Sequence, residues 1–393
     1  MFPIRRVFIT LLCCAALVLQ GGVATAAALT VPPPPPTLYS FEQLQDMMQS
    51  RTRTGLGVDA IPALSRPEFL SVSDASLSME HDEHVFIVEY PTGLVRIYPQ
   101  RIMVWHEVVN DVLPDPSGAV IRKDTPLSAL DGFTITYCPL TGSVNAFYAL
   151  AGRYPTSFGV SGELYNSNTL LYDRSTRSTW SQITMTCIDG PLAGKRLSPI
   201  QVLWSTWRGA MQRYPDAQVL SRSTGYRRSY GRDPYGSYLT QGNYYDDLRI
   251  LFPMARFDNR LPPKKRILGL EIGGMFGAVD KDAVREARVV NLLLGLTPLV
   301  AIYDQTLGTV RIFDPRADGP EALQFEIFEN KIIDRETRSE WDEEGNCTYG
   351  RLRGRTLKPV YSMDSMWFAW SAFYPQTIIL PEKEFVRQSP GAW

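Results

Sequence analysis

The stretch Asp173-Arg174-Ser175-Thr176-Arg177-Ser178-Thr179-Trp180 recurs as Asp334-Arg335-Glu336-Thr337-Arg338-Ser339-Glu340-Trp341. Around it further matches keep their order. Gly190, Gly194, Leu197 and Pro199 correspond to Gly350, Gly354, Leu357 and Pro359 at a separation of 160 (350 minus 190), as do Trp207, Tyr214 and Pro215 to Trp367, Tyr374 and Pro375. Upstream, Tyr137, Gly142, Val144 and Phe147 correspond to Tyr303, Gly308, Val310 and Phe313 at 166 (303 minus 137). Val108-Val109-Asn110 corresponds to Val289-Val290-Asn291 at 181 (289 minus 108). Collinear blocks whose spacing drifts by loop lengths mark an internal repeat. The shared Asp-Arg-x-Thr-Arg-Ser-x-Trp reads as a turn whose Asp caps backbone amides and whose Trp packs.

Between these blocks the residues read mostly as strands. Residues 84–90 and 94–99, around Pro91-Thr92-Gly93, predict a hairpin, and a helix is expected over 101–110. Two β-type runs, 132–138 and 143–148, flank a Cys-Pro-Leu-Thr-Gly-Ser turn, and 158–168, rich in Gly, Ser and Asn, reads as a turn between β runs. The expected fold class is α+β and β-rich, with two tandem homologous units, 84–222 and 266–381, carrying short helices. Residues 27–83 form a lead-in, with a polyproline tether at 32–36 and a short amphipathic helix over 41–50. Residues 223–265 contain the aromatic, cationic Tyr226-Arg227-Arg228-Ser229-Tyr230 and read as an ordered strap; 382–393 is a tail.

Lysine and arginine number 40 against 41 aspartates and glutamates, a net charge of -1, so no global field draws the chain to nucleic acid or an anionic membrane. Residues 1–26 read as an export signal: Arg5 and Arg6, an apolar run over 7–19 too short to span a bilayer, then Ala24-Thr25-Ala26. A periplasmic or secreted protein is expected, with a lipoprotein at Cys13 or Cys14 as the alternative and no transmembrane segment in the mature chain. Cys138, Cys187 and Cys347 then remain, too few for a disulfide scaffold. Cys187 and Cys347 are equivalent positions, and whether they pair stays open.

The repeat supplies its own control. At the position of Cys138 the second unit has Asp304, and at that of His106 it has Ala287. Residues peculiar to one unit are the better site candidates. Cys138, at a strand end, is the candidate reactive thiol, and His106 the base that would ionise it; the alternative is a small buried hydrophobe. Trp105-His106-Glu107-Val108-Val109-Asn110-Asp111 gathers an imidazole, two carboxylates and an amide, with His106 and Asn110 on one helical face. Glu107, Asn110, Thr141, Ser161, Asn166 and Gln182 are the expected substrate-orienting groups. Ser161 is no nucleophile elbow, because glycines 159 and 162 flank it asymmetrically. The chain has no Walker loop, dinucleotide fingerprint or His-Glu-x-x-His helix, and no cofactor is expected. With His81, His84 and His106 its only histidines, the metal alternative is a soft copper or zinc site on Cys138 and His106.

Taken together, several motifs resemble a bacterial secreted family known as domain of unknown function 3179. They are Trp105-His106-Glu107-Val108-Val109-Asn110-Asp111, Thr136-Tyr137-Cys138-Pro139-Leu140-Thr141-Gly142-Ser143, Gly159-Val160-Ser161-Gly162-Glu163-Leu164-Tyr165-Asn166-Ser167, Leu171-Tyr172-Asp173-Arg174, Trp180-Ser181-Gln182, Gly190-Pro191-Leu192-Ala193-Gly194, Thr224-Gly225-Tyr226-Arg227-Arg228 and Trp367-Phe368-Ala369-Trp370. Members similar to this chain carry Cys, or in some selenocysteine, where it has Thr141, which implies thiol redox work for the family. Here Cys138-Pro139-Leu140-Thr141 closes no internal bridge, so a redox role would be monothiol. The expected function is monothiol redox or nucleophilic chemistry at Cys138, assisted by His106, on a small-molecule or protein thiol or disulfide partner. The alternative is a non-catalytic envelope module that binds through its strap.

Overall fold

The computed structural model describes residues 31–90, 93–113, 132–317 and 319–381. The expected signal, the tail from 382 and the hairpin tip at 91–92 lie outside them. The described residues form a β-rich α+β fold with six short helices.

Residues 52–220 build three five-stranded sheets. The first runs Val202–Thr206, His84–Glu89, Val95–Pro99, Gln218–Leu220, Phe69–Ser71; the second Pro199–Ile200, Ser143–Tyr148, Gly132–Cys138, Val108–Val112, Leu64–Ser65. The third runs Thr52–Arg53, Phe158–Tyr165, Asn168–Asp173, Thr179–Ser181, Thr186–Asp189. Residues 266–380 build three four-stranded sheets. In the same sense these run Met363–Met366, Arg266–Ile272, Met275–Asp280, Ile378–Leu380; then Lys358–Pro359, Thr309–Asp314, Thr297–Asp304, Val289–Leu294; then Phe325–Phe328, Lys331–Asp334, Glu340–Trp341, Cys347–Tyr349. Strand for strand, the two halves share one order. The first half adds an edge strand to each sheet, and all three come from residues 52–71, within the stretch expected only as a lead-in.

Local chemistry explains the elements. The helix Phe41–Gln49 starts at Ser40, whose hydroxyl accepts from the Gln43 amide while the Gln43 side chain returns to the Ser40 amide. The helix Gln100–His106 ends because Glu107 adopts a left-handed conformation, φ 55°. Beyond it the β-branched Val108–Val112 pairs with Gly132–Cys138, Val109 facing Ile135. The helix expected over 101–110 therefore stops short, and Asn110, on a strand, shares no helical face with His106. Residues 158–165 are likewise strand; the turn is only Asn166 and Ser167, at φ 48° and 60°, the geometry that a two-residue hairpin turn requires.

The repeated octapeptide folds alike in both halves. The Asp173 carboxylate accepts from the Thr176 amide at 2.6 Å, the Thr176 hydroxyl at 2.7 Å and the Trp180 indole at 3.0 Å. Asp334 does the same for Thr337 at 2.6 and 2.9 Å and for Trp341 at 2.9 Å. Cys187 and Cys347 are buried free thiols, so no bridge joins them.

One apolar core runs through both halves, bringing Cys138, Leu140 and Leu170 together with Ile267, Met366, Trp367 and Trp370. Each half closes a turn of the other. The Met366 amide donates to the Thr141 carbonyl at 2.8 Å, and the Ser205 hydroxyl donates to the Leu307 carbonyl at 2.7 Å. At Gly142, φ 55°, a Cβ would meet the Met366 side chain at 3.2 Å, so the close approach and the backbone both favour glycine. Residues 221–265 carry neither strand nor helix. They are anchored by side chains: Tyr238 stacks on Tyr245 with ring centroids 3.8 Å apart, and the Tyr245 hydroxyl donates to Asp233 at 2.7 Å.

Candidate functional site

Cys138 ends its strand facing inward, with no exposed surface. Burial, then the neighbouring Glu107 carboxyl, pushes its thiol up to about 12, against hydrogen bonds from Thr141 and the Thr169 backbone. Glu107 is itself buried, and desolvation raises its carboxyl to about 7, a rise that a hydrogen bond with the Thr169 side chain tempers. The left-handed turn at Glu107 is what brings the carboxyl here, because it ends the helix one residue after His106. A neutral thiol thus sits beside a carboxyl that titrates near neutrality.

His106 faces elsewhere. Its Nδ1 is 2.7 Å from the Pro62 carbonyl and its Nε2 2.7 Å from the Tyr230 hydroxyl, so both ring nitrogens are taken. With Nδ1 donating to Pro62, Nε2 accepts from Tyr230. The expected pairing of His106 with Cys138 is therefore corrected to Glu107 with Cys138, and a soft-metal pair on Cys138 and His106 loses its geometry.

Beneath the thiol lies a buried, uncharged network. The Thr141 and Ser143 hydroxyls are 2.8 Å apart, and Ser143 donates to the Gln182 carbonyl oxygen at 2.7 Å. Asn168 Nδ2 lies 3.0 Å from Thr141, 3.1 Å from Ser143 and 2.8 Å from Gln182 Oε1. Gln182 Nε2 donates to Thr136 at 3.1 Å, and Asn145 donates to the Gln182 backbone at 2.6 Å. Such a network fixes rotamers at low dielectric and leaves few groups able to turn toward a ligand. Thr141 and Gln182 thus join Cys138 and Glu107. Asn110, Ser161 and Asn166 are engaged elsewhere. Asn110 brackets Phe158, accepting from its amide at 2.7 Å and donating to its carbonyl at 2.8 Å; Asn291 does the same for Phe325 at 2.9 and 2.8 Å. Ser161 donates to the Leu170 carbonyl at 2.6 Å, and Asn166 accepts from the Ala255 amide at 2.8 Å.

The cover over the thiol comes from the connecting segment. The Tyr244 hydroxyl donates to the Leu140 carbonyl at 2.6 Å, beside the thiol. Burial, then the Glu107 carboxyl, raises the Tyr235 pKa, and its ring packs against the core that holds Cys138. Sequence reasoning missed Ser143, Asn168, Tyr235 and Tyr244.

In the second half the equivalent place is an ion cluster. Asp304, at the position of Cys138, pairs with Arg213 at 3.1 Å and Arg311 at 3.2 Å, and Arg311 continues to Glu89 at 3.2 Å. Arg213 also pairs with Glu344 at 3.0 Å. Salt bridges occupy one copy of the position and a thiol the other.

Fold and site together define a β-rich α+β protein with a buried cysteine–glutamate pair. The chain belongs to the family described as "Protein of unknown function (DUF3179)", which it matches over residues 58–377. No curated protein and no solved structure matches it.

Proposed function

We propose that this is an exported monothiol protein in which Cys138 is the reactive atom and Glu107, rather than His106, handles its proton. The observation that carries this reading is the electrostatic coupling of the buried Cys138 thiol to the buried Glu107 carboxyl, which titrates near 7, at a position where the other half has the ion-paired Asp304. In the proposed step the Cys138 thiol gives its proton to the Glu107 carboxylate as the sulfur attacks one sulfur of a partner disulfide. The partner's S–S bond breaks, a mixed disulfide forms on Cys138, and the departing sulfur takes the proton from Glu107. Thr141 hydrogen-bonds the sulfur, and Gln182 holds Thr141 through Ser143. The partner, a small-molecule or protein disulfide, reaches the thiol when the 223–265 strap lifts Tyr244 off Leu140.

The matching strand orders and the reciprocal closures support reading 84–222 and 266–381 as copies of one duplicated unit. Export rests on Arg5, Arg6, the apolar run and Ala24-Thr25-Ala26.

The test is incubation of the folded protein with glutathione disulfide, reading the mixed disulfide on Cys138 by mass spectrometry, with Cys138→Ser as the control for Cys187 and Cys347. Folded wild-type protein is expected to form the adduct, and Glu107→Gln to form it roughly a hundredfold more slowly. An adduct that appears only after denaturation sinks the proposal. The full burial of Cys138 favours a second reading, a non-catalytic module that binds through the strap. In that reading Cys138→Ser is silent in every functional assay.

A further inference from the structure

Most ion-pairing arginines of this chain have carboxylates close by, as Arg96 has Asp111 at 2.6 Å and Arg196 has Glu271 at 2.7 Å. Arg222, Arg227 and Arg228 differ. Among the described residues none of the three makes a hydrogen bond or ion pair through its side chain, and all are exposed. The run 221–231, Ser-Arg-Ser-Thr-Gly-Tyr-Arg-Arg-Ser-Tyr-Gly, holds no acidic residue. Asp59 pairs with Arg174 at 2.9 Å and Glu83 with Arg101 at 2.7 Å, while Asp233 accepts from Gln100 and Tyr245, each at 2.7 Å. Three guanidinium groups that share one basin and make no ion pair are open to an external anion.

The three arginines line an open basin of about 520 Å³ together with Ser223, Tyr226 and Ser229. The basin is anchored from below. The Tyr230 hydroxyl meets both His106 and Thr224, the Tyr226 ring lies 5.4 Å from the His106 ring, and the Ser221 amide donates to the Glu68 carbonyl at 2.8 Å. Anchoring lowers the ordering cost of binding. Tyr226 stays half exposed at 47 % and presents an aromatic face between the guanidinium groups and the serine hydroxyls.

We infer that this basin binds an acidic polysaccharide. Forked guanidinium groups pair with its sulfate or carboxylate groups, the Tyr226 face takes a sugar ring, and Ser223 and Ser229 meet sugar hydroxyls. The shallow, open shape suits an extended polymer rather than an enclosed small molecule. One exposed aromatic and a net charge of -1 argue against a nucleic acid, whose binders carry broad positive fields. The inference deepens the binding-module reading and does not depend on the thiol chemistry.

The test uses the whole protein on heparin, with neutral dextran and duplex DNA as comparisons, by calorimetry and salt-gradient elution. Heparin is expected to bind with a steep salt dependence, and dextran not to bind. Arg222→Ala/Arg227→Ala/Arg228→Ala is expected to weaken heparin binding roughly tenfold or more and to flatten the salt slope by about two to three. Arg351→Ala/Arg353→Ala, on exposed arginines of the other half, is expected to change neither. Tyr226→Ala is expected to weaken heparin but not DNA. The inference falls if heparin fails to bind, if the triple variant binds like wild type, or if DNA binds as tightly as heparin. A failed heparin test leaves the binding-module reading to its own test, the silence of Cys138→Ser.

Discussion

Glu107 holds its carboxyl beside the Cys138 thiol, and burial together with that carboxyl keeps the thiol protonated, with a pKa of about 12. Two effects of removing the carboxyl then separate. In Glu107→Gln the thiol loses an anionic neighbour, so iodoacetamide alkylation at pH 9 is expected to rise roughly threefold to tenfold, one pKa unit being tenfold in thiolate. Mixed-disulfide formation is expected to fall in the same variant, because the proton acceptor is gone. Alkylation and exchange moving together would leave Glu107 no role in proton transfer.

Stability carries a second signature of the same carboxyl. Glu107 titrates at about 7 in the folded chain and near 4.3 when unfolded. Its raised folded-state pKa means that no penalty exists below the unfolded value. The penalty grows as pH rises, because the unfolded chain loses its proton first, and well above 7 it levels off at about 4 kcal/mol. Denaturant unfolding of wild type and Glu107→Gln is expected to diverge in favour of the variant between pH 4.5 and 8. A difference that stays flat with pH contradicts the burial argument.

Tyr244→Phe removes only the hydroxyl that donates to the Leu140 carbonyl at 2.6 Å. Losing that tie costs about 1 kcal/mol of local closure, so alkylation of Cys138 is expected to speed up roughly fivefold with an unchanged pH midpoint. A shifted midpoint would mean that Tyr244 acts on the thiol's charge rather than on access.

Asn110→Ala leaves the Phe158 amide and carbonyl buried without their partners, a loss of about 2–4 kcal/mol in denaturant unfolding. Asn291→Ala, less buried around Phe325, is expected to cost about 1–2 kcal/mol. Alkylation of Cys138 in folded Asn110→Ala is expected to match wild type. A large change there would return Asn110 to the site.

Much of the frame was legible because its signals are local. The hairpin strands announce themselves in runs of Val, Ile, Phe and Tyr, and the Asp-Thr-Ser-Trp turn closes on its own side chains within seven residues. The edge strands from residues 52–71 were not legible, since two or three residues hold no period. The helix end at Glu107 escaped because the left-handed residue is a glutamate, with neither glycine nor asparagine to mark it. That single misplaced boundary exchanged the roles of neighbours: His106 has the right chemistry and looks toward Pro62 and Tyr230, while it is the charge of Glu107 that acts on the thiol. Tyr235, Tyr244 and Met366 reach Cys138 only through space, from distant stretches of chain.

The paired closures, Met366 on Thr141 and Ser205 on Leu307, define what one unit lacks by itself. Separated, the first half would expose the Thr141 carbonyl and the second the Leu307 carbonyl, each with the apolar face beneath it. Neither half is therefore expected to fold alone, and severing the chain between them is expected to uncover Cys138, whose core neighbours include Met366 and Trp367.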